Sequence, residues 1–353
     1  MSINKKQRKI FISGIQGYIG TVLAQTLRES GFLVVGLDAG FYKDALLYKD
    51  ESIDGLGIVV RDIRMVTKDD LVGADAVIHL AEFSNDPLAE LNPRGVTDVS
   101  REGTKHLAEA ARAAGVSRFI YFSSCSVYGL VSKMVDETVS PNPLTTYARM
   151  KAENERMLLG MASDDFSPII FRNATVYGAS PRMRFDLAVN SLAGYAWVDR
   201  EITMESNGEA WRPFVHIRDV CDAAVSALHA PEASLRGQII NIGSSASNYQ
   251  IKNIAAIIQE VMPEAEITFN KENNDMRSYR VDFSKAERVL PGFRCVRDVR
   301  FGIQELFRLF EDIGLDKKTF RSRMFSRLKQ MNYLKDTGQI DDMYYWVKES
   351  IRA

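Results

Sequence analysis

The chain has 353 residues, 46% apolar and 26% charged; this suits a folded globular protein of about two domains and excludes extended disorder, collagen and a disulfide-stapled mini-protein. Its 45 basic and 46 acidic residues leave a net charge of −1, so no overall field steers it toward nucleic acid or an anionic membrane. Cys125, Cys221 and Cys295 stand far apart and the four histidines show no ligand spacing, so neither a disulfide framework nor a metal site is expected, and a cytoplasmic location is.

The first twenty residues, MSINKKQRKIFISGIQGYIG, carry basic and then apolar residues. Gly14, Gly17 and Gly20 interrupt the apolar part, and a buried first strand is expected instead of a targeting segment. No run approaches the roughly 18–20 apolar residues that cross a bilayer. From there short apolar runs alternate with helical patterns: KIFISG, YIGTVLAQTLRESG, FLVVGLD, GIVVRDI, ADAVIHLAE, REGTKHLAEAARAAG and SRFIYFSS. FSPIIFRNATVYG, VHIRDVCDAAVSALHA and GQIINIG continue the same alternation. Strands separated by helices of that length imply βαβ units, and the near-continuous apolar runs imply strands buried on both faces. The expected fold is α/β, a Rossmann-type doubly wound parallel sheet with a smaller C-terminal substrate lobe. Residues 1–178 and about 215–245 are assigned to the dinucleotide domain, and about 179–214 with 246–353 to the lobe.

Gly14, Gly17 and Gly20 form G-x-x-G-x-x-G between the first strand and first helix. Glycines permit a tight turn and close backbone approach to a pyrophosphate, which the helix N-terminus then attracts. Tyr18 and Ile19 lie within that turn. Asp38 ends the second strand, where a carboxylate would accept bonds from an adenosine ribose; capping the turn before Gly40 is the alternative. A carboxylate there repels a 2′-phosphate, which favours NAD over NADP.

Tyr147 and Lys151 form Y-A-R-M-K and share one helix face, with Cβ atoms roughly 6 Å apart. An ordinary tyrosine, with a pKa of about 10, is a poor base at neutral pH; a neighbouring ammonium favours the phenolate.

In order along the chain stand the glycine triplet, Asp38, Arg61-Asp62-Ile63, His79-Leu80-Ala81, Tyr121 to Gly129 (Y-F-S-S-C-S-V-Y-G), and Tyr147 with Lys151. This series resembles the extended short-chain dehydrogenase/reductase family, in particular its nucleotide-sugar epimerases and dehydratases of the UDP-galactose 4-epimerase type. The resemblance runs strongly from residue 9 to about 180 and more weakly through Trp211 to Val220, Asn241 to Gly243 and Val281 to Ala286. It implies that Asp62 and Ile63 contact adenine, and that Leu80 and Ala81 line the pyrophosphate and nicotinamide-ribose side. Ser124 would polarise the reacting oxygen, Tyr147 would be the acid/base, and Lys151 would hold the nicotinamide ribose and lower the tyrosine pKa. Arg212 matches a position that contacts the nucleotide diphosphate. A homodimer through the Tyr147 helix and its neighbour is also implied.

Several positions depart from the family pattern. Ser124 is followed by Cys125 and Ser126, where dehydratases carry Asp-Glu and decarboxylases often place Glu at the second position. Thr175 replaces an Asn that often touches substrate, Glu82 an Ala, and Ser100 a helical Asn. Epimerisation through a transient 4-keto-sugar is therefore expected. A dehydratase, 4-keto reductase or dehydrogenase on the same site is the alternative, and a non-catalytic NAD-sensing protein or a scaffold subunit the reading from another class.

Arg182 and Arg184 are candidates to clamp a diphosphate, with surface salt bridging the alternative, and Arg277 is a further candidate. Cys125 is expected to be a packed thiol and His79 to be structural. Phe320, Met324, Leu328 and Met331 recur at helical spacing among basic residues. That segment is expected to pack on the smaller lobe, membrane contact being the other reading.

Overall fold

The computed structural model describes residues 7–50, 55–84, 86–204, 206–269 and 277–347. Seven parallel strands form its main sheet: β1 (Lys9–Ser13), β2 (Leu33–Asp38), β3 (Gly57–Val60), β4 (Ala76–His79), β5 (Arg118–Ser124), β6 (Ser167–Asn173) and β7 (Ile239–Ile242). Their spatial order is β7-β6-β5-β4-β1-β2-β3, so the order reverses between β1 and β4. The Val-, Ile- and Phe-rich runs explain why these strands sit inside. β4, β6 and nearly all of β5 are buried residue by residue, as strands covered on both faces must be.

Two helical layers cover the faces. On one side lie α1 (Tyr18–Glu29) and, further along the chain, Ile217–His229; on the other lie α2 (Gly103–Ala113) and α3 (Thr146–Gly160). Leu23 and Leu27 of α1 share a core with Ala223 and Ala227 of the Ile217–His229 helix, and that core continues into the smaller lobe through Ile254, Ile258, Leu306 and Phe310. Leu107, Ala111, Met150 and Leu158 fill the opposite core. The smaller lobe is built on the helices Ala188–Asp199, Ile251–Val261 and Val299–Asp312, with short strand pairs between them. Its sheets include Leu130–Val135, paired with Ser278–Val281.

Phe320 and Met324 pack on the smaller lobe as expected, the Phe320 ring 4.9 Å from that of Tyr195, but the rest of the C-terminal segment goes elsewhere. Met331, Leu334, Ile340 and Tyr344 are buried in the core beneath α2 and α3, not in the smaller lobe. Gln330 donates to the Phe41 carbonyl at 3.0 Å and the Trp346 indole to the Ala39 carbonyl at 2.7 Å. The reason is that the apolar face of Arg327–Asp336 finds open apolar surface beside the loop after β2. Phe41 and Trp346 stack there with ring centroids 5.5 Å apart. No helix among the described residues is long and apolar enough to cross a membrane.

Candidate active site

The carboxyl ends of β1, β2, β3 and β4 open onto one cleft. It is lined by Gly14, Gly17, Tyr18, Ile19, Gly20, Asp38, Asp62, Ile63, Leu80 and Ala81, so all ten cofactor positions expected outside the Tyr147 helix meet there. Gly14 adopts φ +77°, and a Cβ on it would lie 2.9 Å from the Ala81 nitrogen. A Cβ on Gly20 would lie 2.2 Å from the Gly14 carbonyl oxygen. Glycine is therefore required at both positions: at the first by the left-handed backbone, and at both by the close crossing of strand and helix.

The Asp38 carboxylate accepts from the Gln16 amide at 3.0 Å and the Gly40 amide at 2.9 Å. It thus ties the glycine turn to the loop after β2 while facing the cleft. Burial pushes its carboxyl above the ordinary value, opposed by those two amides. Asp62 is held by Arg64, whose guanidinium approaches to 2.5 Å. These features fit a dinucleotide: backbone amides and a helix N-terminus for the pyrophosphate, and a carboxylate beside the ribose position.

Behind this floor His79 is fully buried between Ser13 Oγ (2.7 Å) and Thr104 Oγ1 (2.8 Å), the structural position expected of it. Burial lowers its pKa to about 4. In the unfolded chain a histidine titrates near 6.5, so as pH falls from about 6.5 to 4 the unfolded state takes up a proton that the folded state refuses. Stability contributed by the neutral ring is complete above about pH 6.5 and falls by about 3 kcal/mol on approaching pH 4. Denaturant melts between these pH values should show that slope, and His79→Gln should flatten it.

Ser124, Tyr147 and Lys151 converge at the end of β5. Ser124 caps the turn Cys125–Tyr128 by accepting from the Ser126 amide at 3.1 Å, and its hydroxyl opposes the rise of the Tyr147 phenol's pKa. The Lys151 ammonium lies 5.8 Å from the Tyr147 ring centroid and donates to the Phe122 carbonyl at 2.5 Å. Its charge, however, is met by Glu82, whose carboxylate lies 2.6 Å away. Burial, and after it Glu82, push the Tyr147 phenol above its ordinary value, with Ser124 opposing. The Tyr147 phenol therefore stands above its ordinary value here and not below it, chiefly because it is buried, with Glu82 adding to the rise.

Glu82 itself is cradled by donors. Tyr121 Oη (2.8 Å), Thr104 Oγ1 (2.9 Å) and Asn154 Nδ2 (2.9 Å) converge on its Oε1. Burial alone would raise it, but the Lys151 ammonium and these donors hold it below the ordinary carboxylate value. Asn154 also donates to the Ser100 carbonyl at 3.0 Å, and Ser100 lies in the widened π-helical turn Asp98–Glu102. Two departures from the family pattern, Glu82 and Ser100, thus belong to one network. Their individual oddity was visible in the sequence; their contact was not.

The arginines sort differently from expectation. Arg182 and Arg184 do not converge as a clamp. Arg182 donates to the Tyr42 carbonyl at 2.7 Å and to that of Lys43. Arg184 turns to Asp186 at 2.9 Å and to Ser84 Oγ at 2.9 Å, lining the cofactor cleft. Residues two apart would share a side in a strand, but residues 181–186 run through turns, and this separates the two. Arg212 and Arg277 do meet, since Arg212 donates to the Arg277 carbonyl and Arg277 pairs with Asp86. Thr175 opens the strand Thr175–Tyr177, in register with Phe214. Cys125 is a packed thiol donating to the Arg172 carbonyl at 3.2 Å. Missed altogether was Arg327, which lines the cleft from the C-terminal segment.

Known proteins resemble the chain in sequence and fold. The chain is 30% identical over 304 residues to the UDP-glucose 4-epimerase of Mycolicibacterium smegmatis, covering 80% of this chain and 92% of that one. A solved NAD-dependent NDP-hexosamine 5,6-dehydratase of tunicamycin biosynthesis, TunA, superposes with a TM-score of 0.77 at 25% identity, over 87% of this chain and 98% of its own. The UDP-glucuronic acid 4-epimerase of Bacillus cereus, solved with UDP-glucuronic acid and NAD, gives 0.73 at 25% identity over 86% and 99%. A family model described as the NAD dependent epimerase/dehydratase family matches residues 10–243. With its doubly wound sheet, its glycine turn closed over Asp38 and its Ser124, Tyr147 and Lys151 gathered at the end of β5, the chain belongs to the NAD-dependent epimerase/dehydratase family.

Proposed function

We propose that the protein is a nucleotide-sugar epimerase that works through a transient 4-keto-sugar. The observation that carries this reading is the meeting of Ser124, Tyr147 and Lys151 beside the cofactor cleft, with no acid at the two positions after Ser124. Elimination of water needs an acid and a base of its own near the sugar. Cys125 is instead turned into the core and Ser126 is buried.

Gly14, Gly17, Gly20, Asp38, Asp62, Ile63, Leu80 and Ala81 hold the dinucleotide, with Lys151 beside the nicotinamide ribose. Bound NAD supplies the hydride acceptor and donor. Tyr147, in its ionised form, takes the proton of the sugar C4 hydroxyl, and Ser124 donates to the same oxygen as it gains carbonyl character. After the keto-sugar has turned over in the cleft, Tyr147 returns the proton to that oxygen. Thr175, Arg212 and Arg277 face the nucleotide-sugar from the smaller lobe, Arg212 and Arg277 meeting its diphosphate. Arg182 and Arg184 belong to the cofactor side.

Asp38→Arg is expected to weaken NAD about tenfold or more, since two amide bonds and a ribose acceptor are lost together. Calorimetric titration checks this, and undiminished NAD binding contradicts the ribose role.

A dehydratase is the second reading, favoured by the likeness to TunA. Incubating the enzyme and catalytic NAD with UDP-, GDP-, CDP- and dTDP-sugars, followed by chromatography and mass spectrometry, separates the two. A new peak of unchanged mass supports the epimerase, and loss of water establishes the dehydratase. A requirement for stoichiometric cofactor identifies a net oxidoreductase. A homodimer through α2 and α3 is part of the same proposal, and light scattering tests it.

A further inference from the structure

The C-terminal segment crosses the mouth of the cofactor cleft. It leaves the smaller lobe where Phe185 donates to the Phe325 carbonyl at 2.9 Å and Arg327 to Asp186 through its backbone at 3.0 Å. It then runs over the loop after β2, bound at Phe41 and Ala39 as described. It ends against Arg64, which donates to the Met343 carbonyl at 2.7 Å and lies 3.5 Å from the Tyr345 ring centroid. Tyr344 takes φ +62°, a strained conformation for a residue with a side chain, and its ring packs on Phe83, 4.8 Å between centroids. The segment is thus fastened at three places around the adenosine end of the cleft.

Arg327 is the one residue of this segment that lines the cleft itself, beside the glycine turn, Asp38, Tyr42 and Arg184. Its side chain is 7% exposed, its guanidinium lies 3.8 Å from the Tyr42 ring centroid, and its Nη1 has no hydrogen-bond partner. Burial drops its pKa to about 10. A buried guanidinium without a hydrogen-bonded carboxylate is costly, and an arginine fork matches phosphate oxygens.

We propose that Arg327 binds the diphosphate of the dinucleotide, and that residues 323–347 strap the cofactor into the cleft. This rests on NAD being the cofactor. It makes the C-terminal segment part of the cofactor site, although it lies outside the region the family model matches.

The test is calorimetric titration of the nucleotide-stripped full chain, Arg327→Met and Arg327→Lys with NAD, ADP-ribose, NADP and adenosine. Arg327→Met should weaken NAD and ADP-ribose about ten- to a hundredfold while adenosine, which has no phosphate, changes by less than about twofold. Arg327→Lys, keeping the charge without the fork, should fall between. The melting temperature of nucleotide-free Arg327→Met should hold or rise, because an uncompensated buried charge has gone. Equal losses for adenosine, a loss confined to NADP, an unfolded Arg327→Met or unchanged NAD affinity would each overturn the assignment. If the natural chain bound neither NAD nor ADP-ribose, the cofactor reading itself would fail and take the strap with it.

Discussion

Tyr147→Phe is expected to fold like the natural protein and to lose about 10²–10⁴-fold in kcat, the usual contribution of a positioned general acid/base. The phenol oxygen is the only atom removed, and the hydroxyl that acts on it is that of Ser124. That serine keeps its bond to the Ser126 amide, so the loss leaves no stranded donor or acceptor in the core. NAD affinity should stay close to the natural value, because the glycine turn and Asp38 are untouched. Steady-state rates on the identified nucleotide-sugar check the prediction. Retention of more than about a tenth of kcat would remove Tyr147 from the acid/base role.

Glu82→Gln should produce two effects of opposite kind. Stability falls by about 3–5 kcal/mol, the cost of leaving the Lys151 charge buried without its partner. The substitution is nearly isosteric, so packing against Tyr121 and Asn154 survives and the loss reports the charge. The pH–rate profile shifts as well. Glu82 is the largest cause after burial that holds the Tyr147 phenol up, and with its charge gone the Lys151 ammonium acts unopposed. The phenol pKa then falls, and the acid limb of kcat/KM moves by about one unit toward lower pH. Stability contributed by the pair in the natural protein has its own pH sign. Glu82 is held below its ordinary value, so that stability is complete above about pH 4.5 and is lost as pH falls through the lower folded value. Unfolding curves at pH 7 and a pH series of initial rates test both halves. An unmoved acid limb would mean that Glu82 only positions Lys151 and does not set the tyrosine's acidity.

The donors around Glu82 account for a carboxylate at this unusual position; Ser100 enters the network through its backbone carbonyl. A carboxylate beside Lys151 requires converging donors in a dry site. The widened turn at Asp98–Glu102 leaves the Ser100 carbonyl available to orient Asn154.

What could be read from the chain by itself was local. Apolar runs of strand length, helices closed by Gly31 and Gly115, and glycines spaced for a phosphate turn depend on neighbours a few residues away, and they led to the parallel sheet and the NAD cleft; Tyr147 and Lys151 stood out by their spacing, and Ser124 by the family resemblance. Tertiary structure alone decided where long side chains end. Arg182 and Arg184, two residues apart, would share a side of a strand; they diverge because the chain turns between Pro181 and Asp186. Glu82 reaches Lys151 only because β4 and α3 are brought together around Tyr121. The basic C-terminal segment could have covered any apolar surface, since helical periodicity specifies a face but not its partner. It covers the loop after β2 because Phe41 and Trp346 stack there, and that contact carries Arg327 into the cofactor cleft.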